Sequence, residues 1–200
     1  MTSVRVKLCG VRRPEDAILC AEAGADEVGV VFAAGSKRRV TVEEARRIRA
    51  ALPAEVPLVG VFQDAPLEEA LRIAREVGLA ALQFHGKLPR PGGDLPLYAA
   101  VQVSGAELAP AASLAGFRRV LLDGPSAGSG VPFAWSLART LRGSVPEVFV
   151  AGGLTAGNVA EAIREADPHG VDVASGIEGP DGFKDPRRVR AFLRAARGTK

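Results

Sequence analysis

The sequence predicts an α/β fold, a single (β/α)8 barrel occupying residues 1–200. Three observations predict it. Eight short apolar runs recur along the chain, most of them rich in Val and Leu with little polar alternation, which is how strands covered on their outer face read. Helical patterns follow nearly every run, and regular strand–helix alternation specifies a parallel sheet. The turn after the first run, Cys9-Gly10-Val11-Arg12-Arg13-Pro14, contains no GxGxxG, so the open doubly wound alternative lacks its fingerprint. Eight units also exceed the usual five or six strands of that sheet. The chain is short for a TIM barrel, so its loops must be short.

The strand-like runs are 4–8, 27–32, 57–62, 80–84, 97–103, 118–122, 147–151 and 170–174. Pro14, with Glu15 and Asp16 behind it, suits the first turn of a helix. Thr41-Val42-Glu43-Glu44 is a capping box, and Val42, Ala45, Ile48 and Leu52 share one face of the helix it opens. Pro66 opens a third helix carrying Leu67, Ala70, Leu71 and Ala74. Phe133 and Trp135 are expected to pack the sixth helix onto the barrel. Asp185 caps a last helix, Pro186 takes its first position, and Val189, Phe192, Leu193 and Ala196 form its core-facing stripe. One link is interrupted. Residues 86–95 hold Pro89, Pro91 and the Gly92-Gly93 pair, so the helix after the fourth strand is reduced or missing.

Composition narrows the function. Apolar residues are 47% and charged residues 24%, ordinary for a globular chain. The 26 basic residues are mixed with 23 acidic ones and aromatics are only 5%, which argues against nucleic acid as a partner. The basic final helix reads as a solvated face. No run approaches the roughly 20 apolar residues of a membrane span. Two cysteines, Cys9 and Cys20, lie in no CxxC or Cys/His pattern, so neither a disulfide scaffold nor a metal site is expected. With no apolar signal core in Met-Thr-Ser-Val-Arg-Val-Lys, the expected compartment is the cytoplasm.

Barrel active sites stand at the C-terminal strand ends. There the chain places Cys9, Arg38 in the second loop, Gln83 and His85, Gln102, Asp123, Gly152-Gly153 and Ser175-Gly176-Ile177. Glycines after strands seven and eight let backbone amides approach an anion, and those two loops are the usual barrel phosphate site. The alternative is tight turns alone. Cys9 and Asp123 end strands one and six and face one central pocket; a thiolate can take a proton from carbon while a carboxylic acid protonates an oxygen. Each also has a plain structural reading: a small buried hydrophobe for Cys9, a turn cap for Asp123. Lys7 shares the inward face of Cys9 and can pair with Asp172 on the neighbouring strand eight, which would lower the Cys9 pKa or merely fill the barrel. Arg38 suits a carboxylate, or is a solvated loop residue. Cys20, among Ile18, Leu19 and Ala21, reads as core, and His169 falls at the opposite end of the barrel.

These segments, taken in order, resemble the phosphoribosylanthranilate isomerase family. The matching stretches are Lys7-Leu8-Cys9-Gly10, Gly29-Val30-Val31-Phe32, Ser36-Lys37-Arg38, Gly60-Val61-Phe62, Leu82 to Gly86, Leu121-Leu122-Asp123, Ala151 to Leu154 with Asn158-Val159, and Val171 to Glu178 followed by Gly182 and Lys184-Asp185. The resemblance implies a cofactor-independent isomerase of tryptophan biosynthesis acting on a small phosphosugar. It places a general base on Cys9 and a general acid on Asp123. Arg38 would hold the anthranilate carboxylate, and the amides of Gly153 and Ser175–Ile177 the phosphate. Lys7, Gln83, His85 and Asp172 are expected to line the substrate, and Gly152 and Gly176 to shape the phosphate cradle. The protein would be a monomer or homodimer. Three positions depart from the family: Arg12 stands where Thr is usual, the loop after Asp123 lacks the Gly-rich run ending in Lys, and Ala134 replaces a common Asp. Competing readings are the histidine-pathway sugar isomerase, which needs two phosphate sites and an aspartate base, indole-glycerol-phosphate synthase, which needs catalytic lysines and an N-terminal extension, and a non-catalytic phosphate-metabolite sensor.

Overall fold

The computed structural model of the chain describes residues 4–103, 111–124 and 135–198. Eight strands, β1 (Arg5–Leu8), β2 (Glu27–Val31), β3 (Leu58–Gln63), β4 (Ala81–His85), β5 (Leu97–Gln102), β6 (Arg119–Asp123), β7 (Val148–Ala151) and β8 (Gly170–Val173), pair in parallel in sequence order. The barrel closes where β8 pairs with β1, Lys7 standing opposite Asp172. Every expected run forms a strand, with each end within a residue of its expected place. The helices are α1 (Pro14–Glu22), α2 (Val42–Ala51), α3 (Leu67–Val77), α4 (Leu137–Thr140), α5 (Val159–Ala166) and α6 (Pro186–Arg197).

Local signals explain most boundaries. The Thr41 hydroxyl accepts from the Glu44 amide while Glu44 Oε2 accepts from the Thr41 amide, a complete capping box. The Asp185 carboxylate accepts from the amides of Arg187 and Arg188, with Pro186 in the first turn. Pro66 lies one step earlier than expected. It adopts extended backbone at the cap, and α3 starts at Leu67. Between β4 and β5 the chain runs without a helix, as the prolines require. Helical connection is also thinner than expected beyond β5. Among the described residues, only a 3-10 turn (Ala111–Leu114) precedes β6 and only the single-turn α4 precedes β7. Phe133 lies outside the described residues; Trp135 is half-buried against the main core.

Alternation along the strands divides the interior in two. Outward-facing Val6, Leu8, Val28, Val30, Leu58, Leu82 and Phe84 meet the buried faces of the helices, Ala17 and Cys20 of α1, Ile48 of α2 and Phe192 of α6 among them. Phe32, Phe62 and Phe84 stack in turn on this outer side, with centroids 5.1 and 5.7 Å apart. Inward-facing residues fill the barrel. Ala100, Leu121, Phe149 and Ala151 form one cluster and Val59, Ala81 and Tyr98 another.

The base of the barrel is polar. Arg119, 1% exposed, donates to both carboxylate oxygens of Glu27 at 2.6 Å and to Glu147 Oε2 at 3.0 Å. Its guanidinium lies 3.6 Å from the Phe149 ring centroid and 4.0 Å from that of Tyr98. Arg5 and Arg118 join Glu147 from the rim. His169 sits at this end, its Nδ1 accepting from the Val148 amide.

Candidate active site

The opposite, C-terminal end of the barrel opens into a cavity of about 310 Å3. This is within the range of small-ligand sites. Its wall includes Cys9, Arg38, Gln83, His85, Asp123, Gly152, Gly153, Asp172 and Ser175, contributed by six strands or the loops that follow them. Gln63, Gln102 and Ser36 line it as well. Three residues of the expected site stand back from the wall. Lys7 is fully buried beneath it, the Ile177 side chain is wholly in the main core, and Gly176 sits behind Ser175 in a 3-10 turn.

At the floor, Lys7 Nζ donates to Asp172 Oδ2 at 3.0 Å. Burial alone would lower the Lys7 pKa, but Asp172 and Cys9 outweigh it and hold the ammonium above the usual lysine range. Cys9 behaves differently from the sequence expectation. Lys7 and Lys184 do pull its thiol down, yet burial is the larger effect and Asp172 adds to it, so the pKa is raised. Cys9 therefore rests as a thiol at neutral pH. Asp123 is pushed up to about 6, first by burial and then by the charge of Asp172. The two candidate proton carriers thus face one cavity, the Asp123 carboxyl moved toward the neutral range and the Cys9 thiol moved further above it.

Gly29, on the inward side of β2, makes this floor possible. A Cβ there would lie 2.8 Å from Cys9 Sγ and 3.2 Å from Lys7 Nζ. Gly29→Ala is expected to cost about 1–3 kcal/mol of stability through overpacking, and to lower activity further by displacing the thiol. Thermal melts and steady-state rates on the same variant check both effects.

The middle of the cavity holds unused acceptors. Gln83 Oε1 and Asp172 Oδ1 are buried and have no hydrogen-bond partner among the described residues. The Gln83 amide nitrogen lies 3.0 Å from His85 Nε2, which must then accept and carry its proton on Nδ1. Burial, then repulsion from Lys7, lowers the His85 pKa and keeps the ring neutral.

At one edge, the loops after β7 and β8 meet. Gly152 has φ of 83°, and a Cβ there would fall 2.1 Å from the Gly124 carbonyl oxygen. Gly176 is pressed so closely on Leu154 that a Cβ would lie 1.9 Å from its carbonyl. Only glycine allows the loop after β7 to approach the segment after β6 at Gly152, and the loop after β8 to approach the loop after β7 at Gly176. Asn158 fixes the rim, donating to the Gly153 carbonyl and accepting from the Thr155 amide.

Arg38 reaches the cavity from the loop after β2, but not as a lone cation. Its Nε and Nη2 donate to the two oxygens of Glu178 at 2.5 and 2.8 Å. Lys184 Nζ lies behind, donating to the carbonyls of Cys9 and Ala174 and to Glu178 Oε1. Arg12, the residue that departs from the family pattern, donates to the Gly182 carbonyl and stacks with Arg13 on Phe183, joining the first loop to the last. The loop from Pro125 to Ala134 lies outside the described residues.

A sequence profile described as N-(5'-phosphoribosyl)anthranilate isomerase matches residues 6–195. The chain belongs to the N-(5'-phosphoribosyl)anthranilate isomerase family. An N-(5'-phosphoribosyl)anthranilate isomerase of Pseudomonas putida (strain W619) is 44% identical over 206 residues, covering 98% of this chain and 99% of the relative. The crystal structure of phosphoribosyl anthranilate isomerase from Thermotoga maritima superposes with a TM-score of 0.84 at 37% identity, covering 98% and 99% of the two chains. That from Thermus thermophilus gives 0.86 at 35% identity, covering 98% and 100%. Another structure of the family, 36% identical with a TM-score of 0.83 over 98% and 99% of the chains, holds reduced 1-(o-carboxyphenylamino)-1-deoxyribulose 5-phosphate.

Membership in the isomerase family sets aside indole-glycerol-phosphate synthase and the histidine-pathway enzyme as readings of this barrel. The residues that sequence reasoning did not single out as site residues are Gly29, Glu178 and Lys184. Each lies within a stretch that resembles the family, but what matters in each is a contact across the barrel. Among the described residues, no helix is long and apolar enough to cross a membrane.

Proposed function

We propose that this chain catalyses the Amadori rearrangement of N-(5'-phosphoribosyl)anthranilate to 1-(2-carboxyphenylamino)-1-deoxyribulose 5-phosphate in tryptophan biosynthesis. The observation that carries the mechanism is the placement of Cys9 and Asp123 on the wall of one cavity beside the glycine-rich loops after β7 and β8. Asp123, protonated, gives its proton to the ribose ring oxygen; the ring C–O bond breaks and the anthranilate nitrogen lone pair forms the Schiff base. The Cys9 thiolate then removes the proton from carbon 2, and the electron pair moves to give the enolamine. Tautomerisation yields the aminoketone. The pulls of Lys7 and Lys184 on Cys9 favour the thiolate when it forms. The vacant acceptors Gln83 Oε1 and Asp172 Oδ1 suit sugar hydroxyls, since an unmade buried hydrogen bond costs about 1–3 kcal/mol until a donor arrives. The amides of Gly153 and of Ser175–Ile177 are assigned to the phosphate, and Arg38 to the ring carboxylate. No cofactor takes part in these steps.

The test is turnover of N-(5'-phosphoribosyl)anthranilate, followed by loss of anthranilate fluorescence. Purified chain that leaves the substrate unchanged would overturn the proposal and favour a metabolite sensor. The pH profile is a second check. The reactive form carries a thiolate at Cys9 and a proton on Asp123, although free Cys9 holds its proton more tightly than Asp123 does. Both forms carry one proton, so kcat/KM is expected to rise as pH increases through about 6, where the pair loses its second proton. It should then stay level until the raised range of the Cys9 thiol is reached. A profile that falls through pH 6 to 7 would contradict this assignment.

A Thermotoga maritima relative is described as dimeric. Sedimentation of this chain decides between monomer and homodimer, and fractionation of the source cells tests a cytoplasmic location.

A further inference from the structure

We propose that Glu178 is a positioning residue for Arg38, gripping the side-on edge of its guanidinium so that the end-on edge is left for the substrate's ring carboxylate. This rests on the reading of Arg38 given above and adds a residue to it. Glu178 is 6% exposed and is not part of the cavity wall, so it acts on a ligand through the side chains it holds, of which Arg38 is the one on that wall.

A guanidinium has two edges that can each hold a carboxylate: Nε with Nη2, and Nη1 with Nη2. Glu178 occupies the first, with bonds of 2.5 and 2.8 Å. Among the described residues, the two protons of Nη1 and one of Nη2 have no partner. A long side chain held in this way loses less freedom when a ligand arrives than a free arginine does.

Charge bookkeeping explains why the pairing does not cancel the attraction. Arg38 and Glu178 alone would be a neutral pair with little pull on an anion. Lys184, 3% exposed, brings a second cation to Glu178 Oε1 at 3.3 Å. The triad therefore keeps one net positive charge, and Arg38 is its only member on the cavity wall. Lys184 spends its other two protons on the carbonyls of Cys9, at 2.6 Å, and Ala174, at 3.1 Å. The residue that balances Glu178 is thus fastened to the backbone of Cys9. An isolated antiparallel bridge between Glu178 and Lys184 closes the arrangement. Gly10 leaves room for it, since a Cβ there would lie 2.4 Å from Arg38 Cδ.

The experiment compares two ligands by calorimetry: reduced 1-(o-carboxyphenylamino)-1-deoxyribulose 5-phosphate and its aniline counterpart, which lacks only the carboxylate. Wild-type protein is expected to prefer the carboxylated ligand by about 10- to 100-fold, the range for a charged hydrogen-bonded pair. Glu178→Gln should lose most of that preference, while binding of the aniline compound changes by less than about threefold. Adding Glu178→Gln to Arg38→Ala should then change the preference no further, because both act through one contact. In turnover, Glu178→Gln should raise KM more than it lowers kcat. If Glu178→Gln weakens both ligands equally, Glu178 only supports the scaffold and the proposal is overturned. If wild type itself shows no preference, the reading of Arg38 fails first and this one with it. Should Glu178→Gln not fold, Glu178→Asp keeps the charge beside Lys184 while shortening its reach to Arg38, and the same loss of preference is expected.

Discussion

Asp123→Asn is expected to lower kcat by about 10²- to 10⁴-fold, the usual worth of a positioned general acid. The substitution keeps shape and polarity but cannot release a proton to the ring oxygen. It should also remove the rise in kcat/KM near pH 6 from the residual activity, since that limb belongs to Asp123. Stability should move the other way. The Asp123 carboxyl is raised from 3.8 to about 6, so the folded state holds the proton more tightly than the unfolded chain. Its contribution is fully present below 3.8 and is lost as pH rises to about 6, leaving a buried carboxylate that disfavours folding at neutral pH. Asparagine relieves this, and the melting temperature at pH 8 is expected to rise. A variant with lower activity and a lower melting temperature would point to a structural role instead. Cys9→Ala is the companion test, and full retention of rate would remove Cys9 from the mechanism.

Arg119→Ala, at the far end of the barrel, is expected to have the largest effect on stability, a loss of about 3–5 kcal/mol. The substitution leaves Glu27 and Glu147 buried without their central cation and takes a stacked guanidinium from between Tyr98 and Phe149. For a chain of this size the melting temperature should fall by roughly 6–20 °C. Replacing all three charges, with Arg119→Met, Glu27→Leu and Glu147→Leu, should recover most of the loss, because the cost lies in the unpaired charges rather than in the absent pair. Acid should act on wild type in the same direction. Burial alone would raise the Glu147 pKa, but Arg119 and Arg5 outweigh it and hold the carboxyl below the usual Glu range. The stability it contributes is present above that range and lost as pH falls through the depressed value. Because Asp123 titrates with the opposite sign in this range, the test uses the Asp123→Asn background: a melt of that variant indifferent to pH between 5 and 3, or a mild Arg119→Ala, would contradict this account.

Most of the fold was legible because its signals are local. Strand runs such as Val28–Val31 are apolar on both faces, and the caps at Thr41 and Asp185 depend on residues within three positions. The missing helix after β4 follows from Pro89 and Pro91, which remove backbone donors wherever the segment lies. The candidate site was legible at the level of residue type and strand end. Cys9, Asp123, Gln83, His85 and the glycine pairs follow from the rule that barrel chemistry stands at the C-terminal ends.

The environment of those residues was not legible. A lysine two positions before Cys9 suggests a lowered thiol pKa, yet burial wins by a margin only the packed barrel sets. Arg38 reads as a free cation until Glu178, 140 residues later, is seen to hold two of its donors. Lys184 gives no sign in the chain that it is buried under Cys9. What the sequence by itself determined, then, is the order of strands and helices and which side chains face inward, since propensity, capping and alternation act over a few residues. The tertiary structure alone decided acidity, pairing and the free edge of Arg38, because Coulomb and desolvation energies depend on distances through space between residues far apart in the chain.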